Sequence, residues 1–261
     1  MKQMKQQHSR RAIIVLEAPW ALDDTDANRT SVLPFIEGIA KFAGDTEVLH
    51  ANFYDKSSFS SALKCLCKAH YRNAIVYIAA HGGKGRIGKV KLRDMLKEIA
   101  DVSTACNITG VLLGSCYGGE CSKTMEDGLT ASNMRWCAGY SSGSYWLEGT
   151  LLDCAILAKM ASIRKSSYRN RDKMIEHFAD AIAQFAPSYP IGEDKDDNKV
   201  ALQDSLQFVV QTDGQGQQPQ NVSAEVFAGR GDFLMDEDDE DDDDDDEEDD
   251  DDDDDEEDDD D

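Results

Sequence analysis

The sequence predicts an α/β fold, a sheet of about six mostly parallel strands with helices on both faces. Three observations predict it. Short apolar runs of strand length alternate with segments whose apolar residues recur at helical spacing, the signature of βαβ units. Those runs are apolar throughout rather than every second residue, as strands buried on both faces require. Finally, the acidity that might suggest a disordered chain is confined to one end. Residues 236–261 are 26 consecutive Asp and Glu, equal to the whole net charge of −26, so the remainder is electrically balanced around its 27 Lys+Arg.

The elements follow in order. Residues 1–11 (MKQMKQQHSRR) are polar and basic without an apolar stretch, so they are expected to be a disordered lead rather than a targeting peptide. Ala12–Leu16 (AIIVL) is the first strand, with a loop at Pro19–Asp26. Asn28 or Thr30 is expected to cap a helix reaching Phe42, with Val32, Phe35, Ile36, Ile39 and Ala40 on one face. Glu47–Tyr54 is the second strand, and Ser57 or Ser58 is expected to cap a helix to about His70. Ala74–Ala79 is the third strand and runs into His81-Gly82-Gly83. A helix over Lys91–Val102 leads to the fourth strand, whose run Val111-Leu112-Leu113 ends at Gly114-Ser115-Cys116-Tyr117-Gly118-Gly119. Cys121–Ser132 is a loop or short helix, and Trp136–Tyr140 a fifth strand. Trp146–Ile163 and Asp172–Phe185 carry helical patterns, and Ser205–Gln211 is a sixth strand. The domain is thus expected over residues 12–211, a linker over 212–235 and an acidic, disordered tail over 236–261.

Seven cysteines, an odd number with no secretory signal, favour free thiols in a reducing compartment, and cytoplasmic localisation is expected. No apolar run approaches the length of a membrane span, so no membrane association is expected. Cys65-Leu66-Cys67 with His70 lacks a second ligand pair, and the glycines of 82–88 lack the Gly-Lys-[Ser/Thr] ending of a phosphate loop. No metal and no cofactor are expected. The acidic tail repels nucleic acid. It serves solubility, engages a basic protein partner, or covers a basic patch on its own domain.

The chemistry concentrates at two strand ends. If the third and fourth strands are parallel neighbours, His81 and Cys116 emerge at the same sheet edge, where α/β proteins collect catalytic groups. A thiol with an imidazole in reach is what a cysteine nucleophile needs. The flanking glycines leave backbone N–H groups open to hold an oxyanion.

YIAAHGG followed by VLLGSCYGG resembles the caspase-like (clan CD) cysteine peptidases, which include caspases, metacaspases, gingipains, separase and CHAT-domain proteases. The shared pattern is apolar strand, His-Gly, helix, apolar strand, small residue, Cys, and Gly soon after. The resemblance implies a caspase-like three-layer fold and a cysteine endopeptidase acting on protein or peptide substrates. It makes Cys116 the nucleophile and His81 the acid/base, with the N–H groups of Gly82 and Cys116 as the oxyanion hole. Two departures stand out: Gly114-Ser115-Cys116-Tyr117-Gly118 differs from the caspase Q-A-C-[RQG]-G, and the His–Cys spacing is shorter than in caspases. Ser115-Cys116 is nearer to the metacaspase and CHAT-like style. Too few residues follow Gly118 before the next strand for a cleavable intersubunit linker. Glu120, Asp127 and Glu148 are candidates for an acidic substrate pocket. The alternative is a non-catalytic module of the same fold whose tail binds a basic protein.

Overall fold

The computed structural model describes residues 10–19, 31–130, 132–212 and 217–229. The lead over 1–9, the proposed caps Asn28 and Thr30, most of the loop after the first strand, and the acidic tail lie outside the described residues.

The central sheet has seven strands: β1 (Arg11–Glu17), β2 (Thr46–Asn52), β3 (Asn73–Ala79), β4 (Ile108–Gly114), β5 (Trp136–Tyr140), β6 (Leu206–Val210) and β7 (Gln220–Asn221). Their spatial order is β7-β6-β5-β4-β3-β1-β2. β2, β1, β3, β4 and β5 pair in parallel, whereas β6 runs antiparallel to β5 and to β7. The chain goes outward from β1 to β2, then returns to place β3 on the other flank of β1. That reversal opens a crevice over the C-terminal ends of β1 and β3.

Alternation along the strands divides the interior into two cores. Ile13, Val15, Ile75, Tyr77 and Leu112 face one side, where they meet Ile36 of α1 (Leu33–Ala43), Leu152 and Ile156 of α5 (Trp146–Ser162), and Phe178 of α6 (Arg171–Ala181). Ile14, Leu16, Val76, Ile78, Val111 and Leu113 face the other. There they meet Leu63 of α2 (Lys56–Leu66), Leu96 and Ile99 of α3 (Leu92–Cys106), and Met125 and Leu129 of α4 (Ser122–Leu129). A strand with apolar residues on both phases is needed by this arrangement, which is why the runs show no alternation.

Some boundaries differ from the sequence reading. Helix α1 starts on Val32 and Pro34 with no side-chain cap, because proline at the first turn supplies the helical φ and lacks the N–H that would need one. Helix α2 is capped by Asp55, whose carboxylate accepts the Ser58 N–H while Ser58 reaches back to the Asp55 N–H. Ser58 is thus the return half of a capping box rather than the cap. That helix ends at Leu66, leaving Cys65 exposed and Cys67 half-buried. Residues expected to be linker carry β7 and α7 (Ser223–Ala228); Val222 between them and Val226 of α7 are buried against β6 and α6. Two small ribbons were also unforeseen: Gly82–Gly83 with Arg86–Ile87 and Val90–Lys91, and Pro190–Glu193 with Lys199–Ala201.

Candidate active site

β3 and β4 are adjacent and parallel, and Ala79 lies opposite Gly114 in the ladder. His81 and Cys116 each stand two residues beyond that pair, on one edge of the sheet. Beyond β3 the chain enters the first ribbon, whose turn uses Lys84 and Gly85 at positive φ (52° and 70°). The Gly88 N–H donates to the His81 carbonyl at 2.6 Å and closes it. Gly82 sits directly on the Cys116 turn: a β-carbon there would overlap the Cys116 carbonyl oxygen and press on Ser115 Oγ. The ribbon and the cysteine turn are therefore in van der Waals contact, and only glycine permits the approach.

The turn after β4 is tight. Ser115 is buried, and Tyr117 occupies the left-handed region at φ 58°. Such backbone persists in a non-glycine residue where neighbours over-determine it. The Tyr117 N–H donates to the Ser142 carbonyl at 2.9 Å and the Gly119 N–H to the Tyr140 carbonyl at 2.7 Å. Gly119 can do so because its α-carbon lies against the Gly139 backbone. The loop after β5 then folds over the thiol. The Ser144 N–H donates to Cys116 Sγ at 3.3 Å, and the Cys116 S–H faces the Ser144 carbonyl at 3.7 Å. The thiol is half-buried. The Cys116 N–H itself donates no hydrogen bond among the described residues, which leaves a donor beside the sulfur. His81 is exposed and lines a different hollow with Ala18, Phe53, Tyr54 and Lys89.

Beside Cys116 lies a recess of only about 30 Å³, room for roughly one water. Its carboxylates are Glu17 and Asp153. Glu17 ends β1, is 7% exposed, and accepts the Val32 N–H (2.8 Å), Ser31 Oγ–H (3.0 Å) and His50 Nε2 (3.0 Å). Asp153 is 2% exposed and accepts the phenol hydroxyls of Tyr77 at 2.7 Å and Tyr140 at 2.8 Å. Burial pushes its carboxyl up to about 7, and the two phenols only partly offset this. Burial and the same carboxylate drive both tyrosines well above their ordinary range.

The three carboxylates singled out from sequence stand elsewhere. Glu120 pairs with Lys195, which also lies over the Tyr117 ring at 5.3 Å. Asp127 is on the solvent face of α4, 3.3 Å from Lys123, because Met125 and Leu129 take the inward face. Glu148 is half-buried in the first turn of α5 and does not line the recess. Asp153 was missed, yet the pattern carried a signal. Gly149, Leu152, Asp153 and Ile156 form the inward i, i+3, i+4, i+7 stripe of α5, so this carboxylate falls on an apolar face. A further surprise is Cys121, an exposed thiol at the start of α4 whose pKa is lowered by the Thr124 hydroxyl and N–H.

No protein-family model and no curated protein sequence matches this chain. Among solved structures it is similar to a secreted C11 cysteine protease from Bacteroides thetaiotaomicron, "iotapain". The TM-score is 0.44 and the identity 10%, over 77% of this chain and 66% of that one.

Proposed function

We propose that this chain is a caspase-like cysteine endopeptidase whose nucleophile is Cys116 and whose acid/base is His81. The observation that carries the reading is the ladder register: with Ala79 opposite Gly114, a thiol and an imidazole leave adjacent parallel strands at the same height of the same edge. In the reaction, Cys116 Sγ as thiolate attacks the peptide carbonyl carbon. The oxyanion forms beside the unused Cys116 N–H, with the Gly82 N–H as the second donor. The C–N bond breaks as the imidazolium protonates the leaving amine, leaving a thioester on Cys116. Neutral His81 then takes a proton from water, hydroxide adds to the thioester, and the acid product and thiol are released.

Catalysis in this scheme requires the thiol to leave Ser144 and the imidazole to turn toward it. Catalytic hydrogen bonds commonly tighten only once substrate is bound. The recess with Glu17 and Asp153 is the candidate pocket for the residue before the scissile bond, and the Tyr145–Trp146 side must move for a side chain to enter.

One observation favours the alternative of a non-catalytic module. Both thiol contacts in this structure are on Ser144, and the imidazole lines a separate hollow. A fluorogenic peptide library separates the two readings. A peptidase loses all cleavage with Cys116→Ala, and His81→Ala lowers kcat/KM by about 10²–10⁴-fold. Cleavage that persists in Cys116→Ala, or its absence from the unaltered protein, overturns the peptidase reading.

A further inference from the structure

A second cavity lies at the opposite edge of the sheet from Cys116. It measures about 370 Å³ and is framed by the N-terminal ends of the strands: Arg11 opens β1, Asn73 opens β3, Thr109 follows the first residue of β4, and Arg135 precedes β5. Its floor is polar and already satisfied. Thr109 Oγ1 bonds to Tyr168 Oη at 3.1 Å, and the Asn73 amide donates to the Met160 and Ala161 carbonyls that end α5. Its rim is cationic: Arg10, Arg11, Arg72, Arg135, Arg164 and Lys165 converge on it.

Among the described residues that line the cleft, Asp45 is the one carboxylate. Asp45 accepts the Arg10 N–H at 3.1 Å and lies 4.0 Å from its guanidinium. Among the described residues Arg72, Arg164 and Lys165 are exposed and make no ion pair, and Arg11 reaches the Ala161 carbonyl at 3.5 Å. Like charges gathered around a concave surface repel one another, so the free protein carries an electrostatic cost that a bound anion removes. In a body that is electrically balanced overall, this concentration is local and specific to one edge.

We propose that this cleft is a polyanion site and that its occupant is the chain's own acidic segment, residues 236–261. Charge complementarity argues for it: 26 successive carboxylates face guanidinium forks shaped to take carboxylate oxygens in pairs. Reach permits it. Six residues lie between Gly229, the last described, and residue 236, and the seven steps across them span up to about 24 Å, the length of a strand in this sheet. Tethering favours it further, because a segment on the same chain is present at an effective concentration on the order of millimolar. The proposal does not depend on the peptidase reading.

Lys165 supplies the assay, being the cleft's one primary amine. Zero-length carbodiimide coupling of the full chain joins an amine to a carboxylate only where the two are in contact. No Lys or Arg follows Arg230, so trypsin releases the acidic segment as one peptide. Mixing isotopically light and heavy protein separates links within a chain from links between chains. The expected result is that Lys165 dominates the within-chain links to residues 236–261, ahead of Lys41, Lys64 and Lys97 on other surfaces. Its yield should collapse between about 0.05 M and about 0.5 M salt as screening shortens. Arg72→Gln with Arg164→Gln, both exposed positions, should cut it about fivefold, the worth of two exposed ion pairs, with unchanged circular dichroism. Added tripolyphosphate should displace the Lys165 links first. Links spread evenly over the lysines, a Lys165 yield indifferent to salt and to the double variant, or links only between chains would each overturn the proposal. In the last two cases the cleft is a site for something other than its own tail.

Discussion

Asp153 is the residue on which the chemistry of the interior turns. Its carboxyl is buried and pushed up to about 7, well above the 3.8 of an exposed aspartate. Between those values the folded protein holds a proton that the unfolded chain has lost, so the contribution of this group to stability is fully present below about pH 4 and is lost as pH rises through about 7. A shift of this size corresponds to roughly 4 kcal/mol. Asp153→Asn removes that slope, since an amide still pairs with both phenols and never ionises. In chemical denaturation the variant should therefore gain on the unaltered protein steadily from pH 4 to 7.5, and a pH-independent difference would refute the assignment. Thiol reactivity also belongs at this scale. Cys106 and Cys137 are buried, whereas Cys65 and Cys121 are exposed, the latter with its pKa lowered, so simple alkylation should label Cys121 and Cys65 alongside Cys116. Mass-spectrometric mapping checks this, and only a peptide-based electrophile would single out Cys116. His81 and Cys116 were legible in the sequence because each closes an apolar run with glycine beside it. Asp153 was not, because one acidic residue in a helical pattern looks solvated until its phase is compared with the buried stripe.

At the scale of elements, the candidate site depends on how the ribbon carrying His81 rests on the turn carrying Cys116. Gly82→Ala places a methyl group where the Cys116 carbonyl oxygen is, and the ribbon must lift. The ribbon stands outside the central sheet, so the melting temperature should change little, while peptide cleavage falls about 10²-fold, the usual cost of an ångström of misplacement. Gly38→Ala is the control. It lies in α1 with nothing within 4 Å of the added carbon, and it should stabilise by up to about 1 kcal/mol without affecting cleavage. The five parallel strands and the five longest helices were readable because each is long enough to show its period, whereas the eight residues of α4 left a loop or a short helix equally open. β7 and the two ribbons were not. Two- to four-residue pairings carry no period, and Gln, Gly and Pro around residues 212–220 hide a strand whose partner β6 supplies the order.

For the molecule as a whole, the sheet separates two kinds of surface. The edge at the C-terminal ends of the parallel strands carries the thiol, the imidazole and a small recess; the other carries the arginine cleft. Composition alone reported only a large negative charge, and subtracting the acidic run revealed the balance; the clustering of cations at one edge needed coordinates. If the two edges work separately, Arg72→Glu with Arg164→Glu should leave kcat/KM for a short uncharged peptide within about twofold, since exposed charges some 20 Å away are largely screened at physiological salt. A larger change in steady-state assays would show that the edges are coupled. The opposition of the edges also fixes how the molecule can be held. Any outside polyanion that grips the arginine end must first displace the acidic segment proposed to lie there, and once docked it leaves the sulfur end pointing into open solution. On the peptidase reading, copies held that way would still present the thiol to approaching chains.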